Sequence, residues 1–417
     1  MSRSIHPFGA ASRLGIAGLA LLALPATAAI APQGREVRLN AARDSRQVLP
    51  TVAGSTAGPA VVWEHQGAGL RARFLAPGAI TGAELTLVTN QGVPSIPFTG
   101  EIVVRREPAA AFGPGGALLV AWTEERASIR TEPFHEIREV VDQDVLVQRF
   151  DRTGAPLGRR FRVNASPAGL QSGARVAAHG TGYVVVWQDG ASIVARALDS
   201  QGRPAGAETR VAAAGLRPEL AIGSAGRALV VWDGDDDDEI GVHARLLDTS
   251  ARAIGAAFRV NGTTLDKQAR PTVAADAAGG FLVAWQSEHR ELWNGFYYLY
   301  GQRVAGDGSL VGAELRLYAG QLAAGYPQIA PALTAGASGN FLLTWITWKN
   351  SFGPDVAGVE LDAAGAVVGE AFFVTERRVK STFRELAVGS DGNGGFLAAW
   401  ESSDRRSALA ARRLAVH

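Results

Sequence analysis

RPTVAADAAGGFLVAWQSEHRELWNGFYYLYGQRVAGDGSLVGAELRLY (residues 270–318) contains one complete structural unit. RPTVAAD (270–276) reads as a first strand, Gly279 and Gly280 make a turn, and FLVAW (281–285) is a second strand. LYGQRVA (299–305) is a third. After a turn at Gly306, Asp307 and Gly308, GAELRLY (312–318) is a fourth. Each run is short, β-branched or aromatic in flavour, and bounded by Gly, Asp or Pro, as strands are. Beyond the first thirty residues no run keeps apolar residues at i, i+3, i+4 and i+7, so helix is not expected.

The unit recurs along the chain. Trp285 ends the second strand, and Trp63, Trp122, Trp187, Trp232, Trp345 and Trp400 end the runs AVVW, LLVAW, YVVVW, ALVVW, FLLTW and FLAAW. From Trp63 to Trp400 the mean period is about 56 residues, which is the range of propeller blades. Third strands such as IVARALD (193–199) and VHARLLD (242–248), and fourth strands such as GRRFRVN (158–164) and GAAFRVN (255–261), follow in register. Four-stranded antiparallel units repeated radially predict an all-β, seven-bladed β-propeller occupying residues 29–417 as one domain. In it the in-register tryptophans pack between blades. After Trp400 only a third strand, LAARRLA (409–415), remains, while GREVRLN (34–40) is a fourth-strand sequence with no blade before it. Pairing the two would complete the last blade, close the ring and remove two sheet edges.

The phrase formed by an apolar run and Trp, a third strand with R-x-[FL]-D, and then G-x-x-x-G-x-x-[FE]-x-V-N resembles repeats of large secreted bacterial proteins. Its best copies run from Trp187 to Val211 and from Trp232 to Asn261. The resemblance covers essentially all of the chain after residue 29 and implies a secreted propeller, with no settled activity for the class. The Asp-box of sialidases, the WD40 signature and the kelch double glycine are not reproduced in register.

Composition narrows the rest. Lys+Arg at 41 against Asp+Glu at 40 gives no support for nucleic acid as a partner. Residues 1–28 read as a signal peptide, with Arg3 and Arg13 ahead of LGIAGLALLAL and an A-x-A site at Ala26, Thr27 and Ala28. That segment is too short to span a bilayer, and no later one is long enough, so no membrane insertion is expected. The expectation is a monomer exported to the periplasm or beyond, stabilised without disulfides because the chain has no cysteine.

Loops joining second to third strands, and each fourth strand to the next blade, share one face of the disc. The long segments all fall there: 90–106, 123–144, 233–240, 286–298, 346–355 and 401–407. Elaboration of one face of a rigid scaffold is how binding surfaces are built. Trp293, Phe296, Tyr297, Tyr298, Trp348 and Phe352 lie on this face outside the repeat register and suit stacking on a sugar ring or a protein hot spot. The alternative is that they fold inward over their own loops. Asp233, Asp235 and Asp237 alternate in an acidic turn, the pattern of oxygen ligands for calcium, with a solvated turn as the alternative. No other cofactor is indicated.

Acids follow the core tryptophans at Glu64, Glu124, Asp189, Asp233, Glu288 and Glu401, and arginines recur on third strands at Arg73, Arg149, Arg196, Arg245, Arg303 and Arg412. These arginines read as a structural girdle stacked on tryptophans or paired with acids. No G-x-S-x-G, H-E-x-x-H or phosphate-cradling glycine loop is present. The expected function is therefore a non-catalytic binding or interaction module for carbohydrate or protein. The first alternative is a carbohydrate-active hydrolase or lyase using acids such as Glu124, Asp189 and Glu401 at the channel mouth. The second is a structural component of the cell envelope.

Overall fold

The computed structural model describes residues 30–41, 46–92, 100–132, 135–291, 294–318, 327–350, 353–376, 385–402 and 408–416. They form seven four-stranded antiparallel sheets in a ring, a seven-bladed β-propeller. The signal read at residues 1–28 lies outside the described residues. No helix among the described residues is long and apolar enough to cross a membrane.

Blade one consists of Gln47–Ala53, Ala60–His65, Gly69–Phe74 and Glu84–Thr89. Each later blade repeats that order, and the first strands of neighbouring blades touch all the way round the ring. These first strands therefore line the central channel. Blade seven joins Leu386–Ser390, Phe396–Ser402 and Ala408–Val416 to the N-terminal strand Ile30–Arg38, as the orphan sequence GREVRLN predicts. Ile30 lies opposite Val416 and Arg38 opposite Ala410, and Leu39 N–H donates to the Leu409 carbonyl at 2.8 Å.

Seven apolar clusters hold the blades together, one at each blade–blade boundary. Every in-register tryptophan sits in one of them, against the preceding blade, and none is more than 3% exposed. The other repeated residues have equally local jobs. In the V-N motif, the side-chain oxygens of Asn40, Asn164 and Asn261 each accept the N–H of a buried third-strand residue, Leu409, Val145 and Val242, at 2.8 Å. Asp151, Asp199, Asp248 and Asp362 each accept two backbone N–H groups of their own tight turn, which fixes it.

The third-strand arginines form a girdle in which Arg303 and Arg412 pair with acids, Asp276 and Glu376, as expected, and backbone carbonyls are further partners. Arg196, Arg245 and Arg412 reach the preceding blade and donate to the carbonyls of Val163, Val211 and Val374 at 2.7, 3.0 and 2.8 Å. Each also donates to a bulge glycine carbonyl of the adjoining fourth strand, at Gly206, Gly255 and Gly34. A guanidinium suits this task because its planar fork meets two carbonyls at once. Arg149 and Arg303 stand one residue further along their strands, and Gln148 and Gln302 occupy the girdle position there and bond the equivalent carbonyls, Gly158 and Gly312.

Segments 123–144, 286–298 and 346–355 are largely strand where loop is expected. Leu118–Glu132 pairs with His135–Phe150, Phe281–Glu291 with Asn294–Val304, and Phe341–Asn350 with Gly353–Leu361. In blade two the first strand is lengthened as well, to Gly100–Phe112. Its charged residues Glu101, Arg105, Arg106 and Glu107 conceal it as a strand, because a cross-strand ion pair, Arg105–Glu124 at 2.9 Å, stands where apolar burial would be expected. These extensions stand on the predicted face. Blade two lies across the ring from blades five and six, so the extended hairpins flank the channel mouth from opposite sides.

Candidate functional site

The first strand of most blades begins with a kink. Leu49, Glu107, Arg217, Arg270 and Ala330 take left-handed backbone angles with φ between 51° and 55°, and Gly173 takes the same region. Five of the six are followed by proline, at Pro50, Pro108, Pro218, Pro271 and Pro331. Each marks a β-bulge where the register with the second strand slips. A non-glycine residue in this region is strained by about 1–3 kcal/mol, so the surroundings must hold it.

The preceding blade does so. Arg270 N–H donates to Asp233 Oδ1 at 2.8 Å and Ala330 N–H to Gln286 Oε1 at 3.0 Å; Glu107 N–H donates to Glu64 Oε2 at a longer 3.4 Å. The three acceptors directly follow Trp232, Trp285 and Trp63. Blade two has the shorter Thr123 there, whose hydroxyl donates to Glu107, and Glu107 in turn accepts Gly173 N–H, both at 2.9 Å. The residue after the tryptophan thus fastens the kinks at Glu107, Arg270 and Ala330 to the blade behind, and through Glu107 that at Gly173.

Burial gives two of these acceptors unusual acidity. Burial pushes Glu64 up to about 7 against the opposing pull of Arg106. Burial likewise pushes Asp233 up to about 6, although Arg217 is paired with it. Because the folded state holds the Glu64 proton more tightly than the unfolded chain, this residue's contribution to stability declines as pH rises from about 4.5 through 7. Glu64→Gln retains an acceptor for Glu107 N–H and removes the charge. It is expected to leave stability at pH 5 little changed and to raise it at pH 8 by on the order of 2–3 kcal/mol. Urea midpoints at the two pH values check this, and a variant that matches the wild type at pH 8 rules it out.

The bulges open on a cavity of about 530 Å³ in the channel, lined by the first strands of all seven blades. Its charged lining is Glu107, Arg175, Arg217, Glu219, Arg270 and Glu385. Arg175 pairs with Glu219 at 2.7 Å, and that carboxylate, together with the hydrogen bond, holds the Arg175 proton more firmly than usual. Burial raises Glu385 above the ordinary carboxylate range, with Arg270 and Arg175 pulling the other way. The arginines occupy consecutive blades, three, four and five, and Glu385 stands in blade seven. None of these six was singled out from sequence. The X-Pro dipeptides at 49–50, 107–108, 217–218, 270–271 and 330–331 were the available signal.

The acids expected from sequence for an enzyme do not line this cavity and are individually engaged. Glu124 pairs with Arg105, Glu401 with Arg46 at 2.8 Å, and Asp189 accepts from Gln171 Nε2 at 3.0 Å. In the acidic turn Asp233 faces Arg217 and Arg270 N–H, while Asp237 pairs with Arg259 at 2.5 Å and the Asp235 carbonyl meets His243 Nε2 at 2.9 Å. Among the described residues no group of three or more His, Asp or Glu is placed to hold a metal, so Asp233, Asp235 and Asp237 are not brought together.

Of the aromatic group, Trp293, Phe352 and the side chain of Phe296 lie outside the described residues. Tyr297 is half-buried, its hydroxyl pushed up by burial with Glu288 beside it. Tyr298 meets His289 edge-on at 5.2 Å, with the Arg316 guanidinium 4.3 Å from its ring centre. Trp348 is half-buried against the cluster between blades six and seven.

No protein-family model matches the chain, and no curated protein does. Solved structures do. A protein of unknown function from Dyadobacter fermentans is 12% identical with a TM-score of 0.53, over 94% of this chain and 100% of that one. A point mutant of the NanB sialidase from Streptococcus pneumoniae is 8% identical with a TM-score of 0.50, over 91% of this chain and 70% of that one. The likeness is one of fold.

Proposed function

We propose that this protein is an exported, non-catalytic binding module that takes a carbohydrate at the channel mouth, on the face carrying the extended hairpins. One observation carries the reading. A single backbone device, the stapled left-handed kink, recurs from blade to blade, yet it presents Leu49, Glu107, Gly173, Arg217, Arg270 and Ala330 in turn. Residues that served only the ring would repeat with it, as the tryptophans do.

Three further features support the reading. The cavity falls within the roughly 300–1,000 Å³ of small-molecule sites. Guanidiniums and carboxylates side by side supply both donors and acceptors, which suits a hydroxyl-rich ligand. The hairpins of blades five and six carry Tyr297, Tyr298 and Trp348, which in this reading form one wall for a sugar chain, and Trp293, Phe296 and Phe352 stand beside them in the sequence. The sialidase, named for its action on a sugar, shares the scaffold and supplies no residue-level argument.

A glycan array probed with wild type and with a Trp293→Ala/Trp348→Ala double variant tests the proposal. Wild type is expected to retain a restricted set of glycans, and the variant to bind them about tenfold more weakly, the effect of losing about 1.4 kcal/mol of stacking. Absence of glycan binding by folded wild type overturns the carbohydrate reading, and cleavage of a bound glycan overturns the non-catalytic one.

A further inference from the structure

We infer that the ligand taken at the channel mouth carries a carboxylate, as a uronic-acid sugar does, and that Arg270 receives it. This rests on the binding reading above and adds the chemical class of the ligand.

The basis is the charge balance of the cavity. Of its six charged residues, Arg175 and Glu219 satisfy each other at 2.7 Å. Arg217 is held by buried Asp233 from behind the channel wall. Glu107 spends a carboxylate oxygen on Thr123 and on Gly173 N–H. That leaves Arg270 and Glu385. Among the described residues the Arg270 guanidinium has neither an ion pair nor a hydrogen bond, although it lines the same cavity as three carboxylates. Its main chain, by contrast, is fixed three ways: by the left-handed kink, by the bond from its N–H to Asp233, and by Pro271. A cation on an anchored backbone, in a lining where among the charged residues only Glu385 is left besides it, is organised for a partner from outside.

A guanidinium recognises a carboxylate through two parallel N–H···O bonds, a geometry ammonium lacks. Arg217 and Arg175 on the two preceding blades extend the positive arc along which an acidic sugar would lie. Glu385 faces Arg270, Arg175, Glu219 and Glu401, and burial favours its protonated form. In that form it cancels little of the Arg270 charge and can donate to a ligand oxygen. As pH rises through its range the carboxylate forms and repels an anionic ligand. Affinity for the acidic sugar is therefore expected to weaken as pH rises, and Glu385→Gln to flatten that dependence.

The experiment is calorimetric titration of the full chain with two trisaccharides differing only in a terminal glucuronic acid or glucose, using wild type, Arg270→Gln and Arg270→Lys. Wild type is expected to prefer the acidic sugar by roughly tenfold or more, Arg270→Gln to lose that preference, and Arg270→Lys to restore part of it. Thermal midpoints identify any variant that fails to fold, and Arg270→Lys then carries the comparison. Equal binding of both sugars by wild type overturns the carboxylate inference while leaving the binding module intact. An undiminished preference in Arg270→Gln overturns the assignment of Arg270. Binding of neither sugar, or displacement of the acidic sugar by a glutamate-rich peptide at lower concentration, overturns both the inference and the reading it rests on.

Discussion

Deleting residues 30–40 is expected to make the chain aggregate. Those residues supply the outer strand of blade seven and the bonds of Leu39 and Asn40 to Leu409. Without them Ala408–Val416 becomes an open edge, and the apolar cluster between blades six and seven loses Ile30. An unpaired edge beside exposed apolar surface templates association with other chains. Size-exclusion chromatography should show the deletion variant in large assemblies. A synthetic peptide of residues 30–40 added during refolding should recover monomer by strand addition. The single change Asn40→Ala, which leaves the buried Leu409 N–H without its acceptor, should cost about 1–3 kcal/mol. A deletion variant that stays monomeric with an unaltered melting midpoint would show that closure does not depend on this strand.

The second large effect is at the tryptophans. Trp285→Ala should destabilise the protein by about 3–5 kcal/mol, since it empties a fully buried site between blades four and five. Phe281, Val231 and Leu246 surround that site and belong to rigid strands, so collapse around the cavity is limited. Trp348→Ala removes a half-buried ring at the margin of the six–seven cluster and should cost far less. Urea denaturation of the two variants side by side measures the difference; equal midpoints would mean that the in-register tryptophans are not the principal inter-blade contacts.

The fold was legible because its signals are local and repeated. Gly and Asp mark the turns, the tryptophans keep count, and GREVRLN lacks a blade of its own. Each fact can be read within a few residues. The channel was not legible for the opposite reason. Arg270 reads as the first residue of a strand, and strict alternation then assigns its side chain to a face; a left-handed kink slips the register and re-aims it. The same holds for Glu107 and Arg217. Acids after the tryptophans were recognised as a group, but their role depends on the backbone of the next blade some forty residues later, as with Glu64 and Glu107. The girdle arginines were found by position, while their acceptors, carbonyls of the preceding blade, leave no trace in side-chain identity. Blade two shows a further limit: Glu101, Arg105 and Arg106 break up the apolar run over Gly100–Arg106 and hide strand that pairs with Thr123–Ile129, Arg105 and Glu124 through an ion pair.

The stapled kinks also bear on how such a molecule can change over time. At Arg270 and Ala330 the fastening is a main-chain N–H and a following proline, neither of which depends on the side chain that the kink displays. These two positions can therefore mutate with little penalty to folding, whereas Glu107 holds Gly173 N–H with its own carboxylate and Arg217 pairs with Asp233. The ring behaves as a combination lock with its tumblers exposed and its housing fixed. A lineage, or a saturation library built at residues 270 and 330, could move between ligands through folded intermediates at every step.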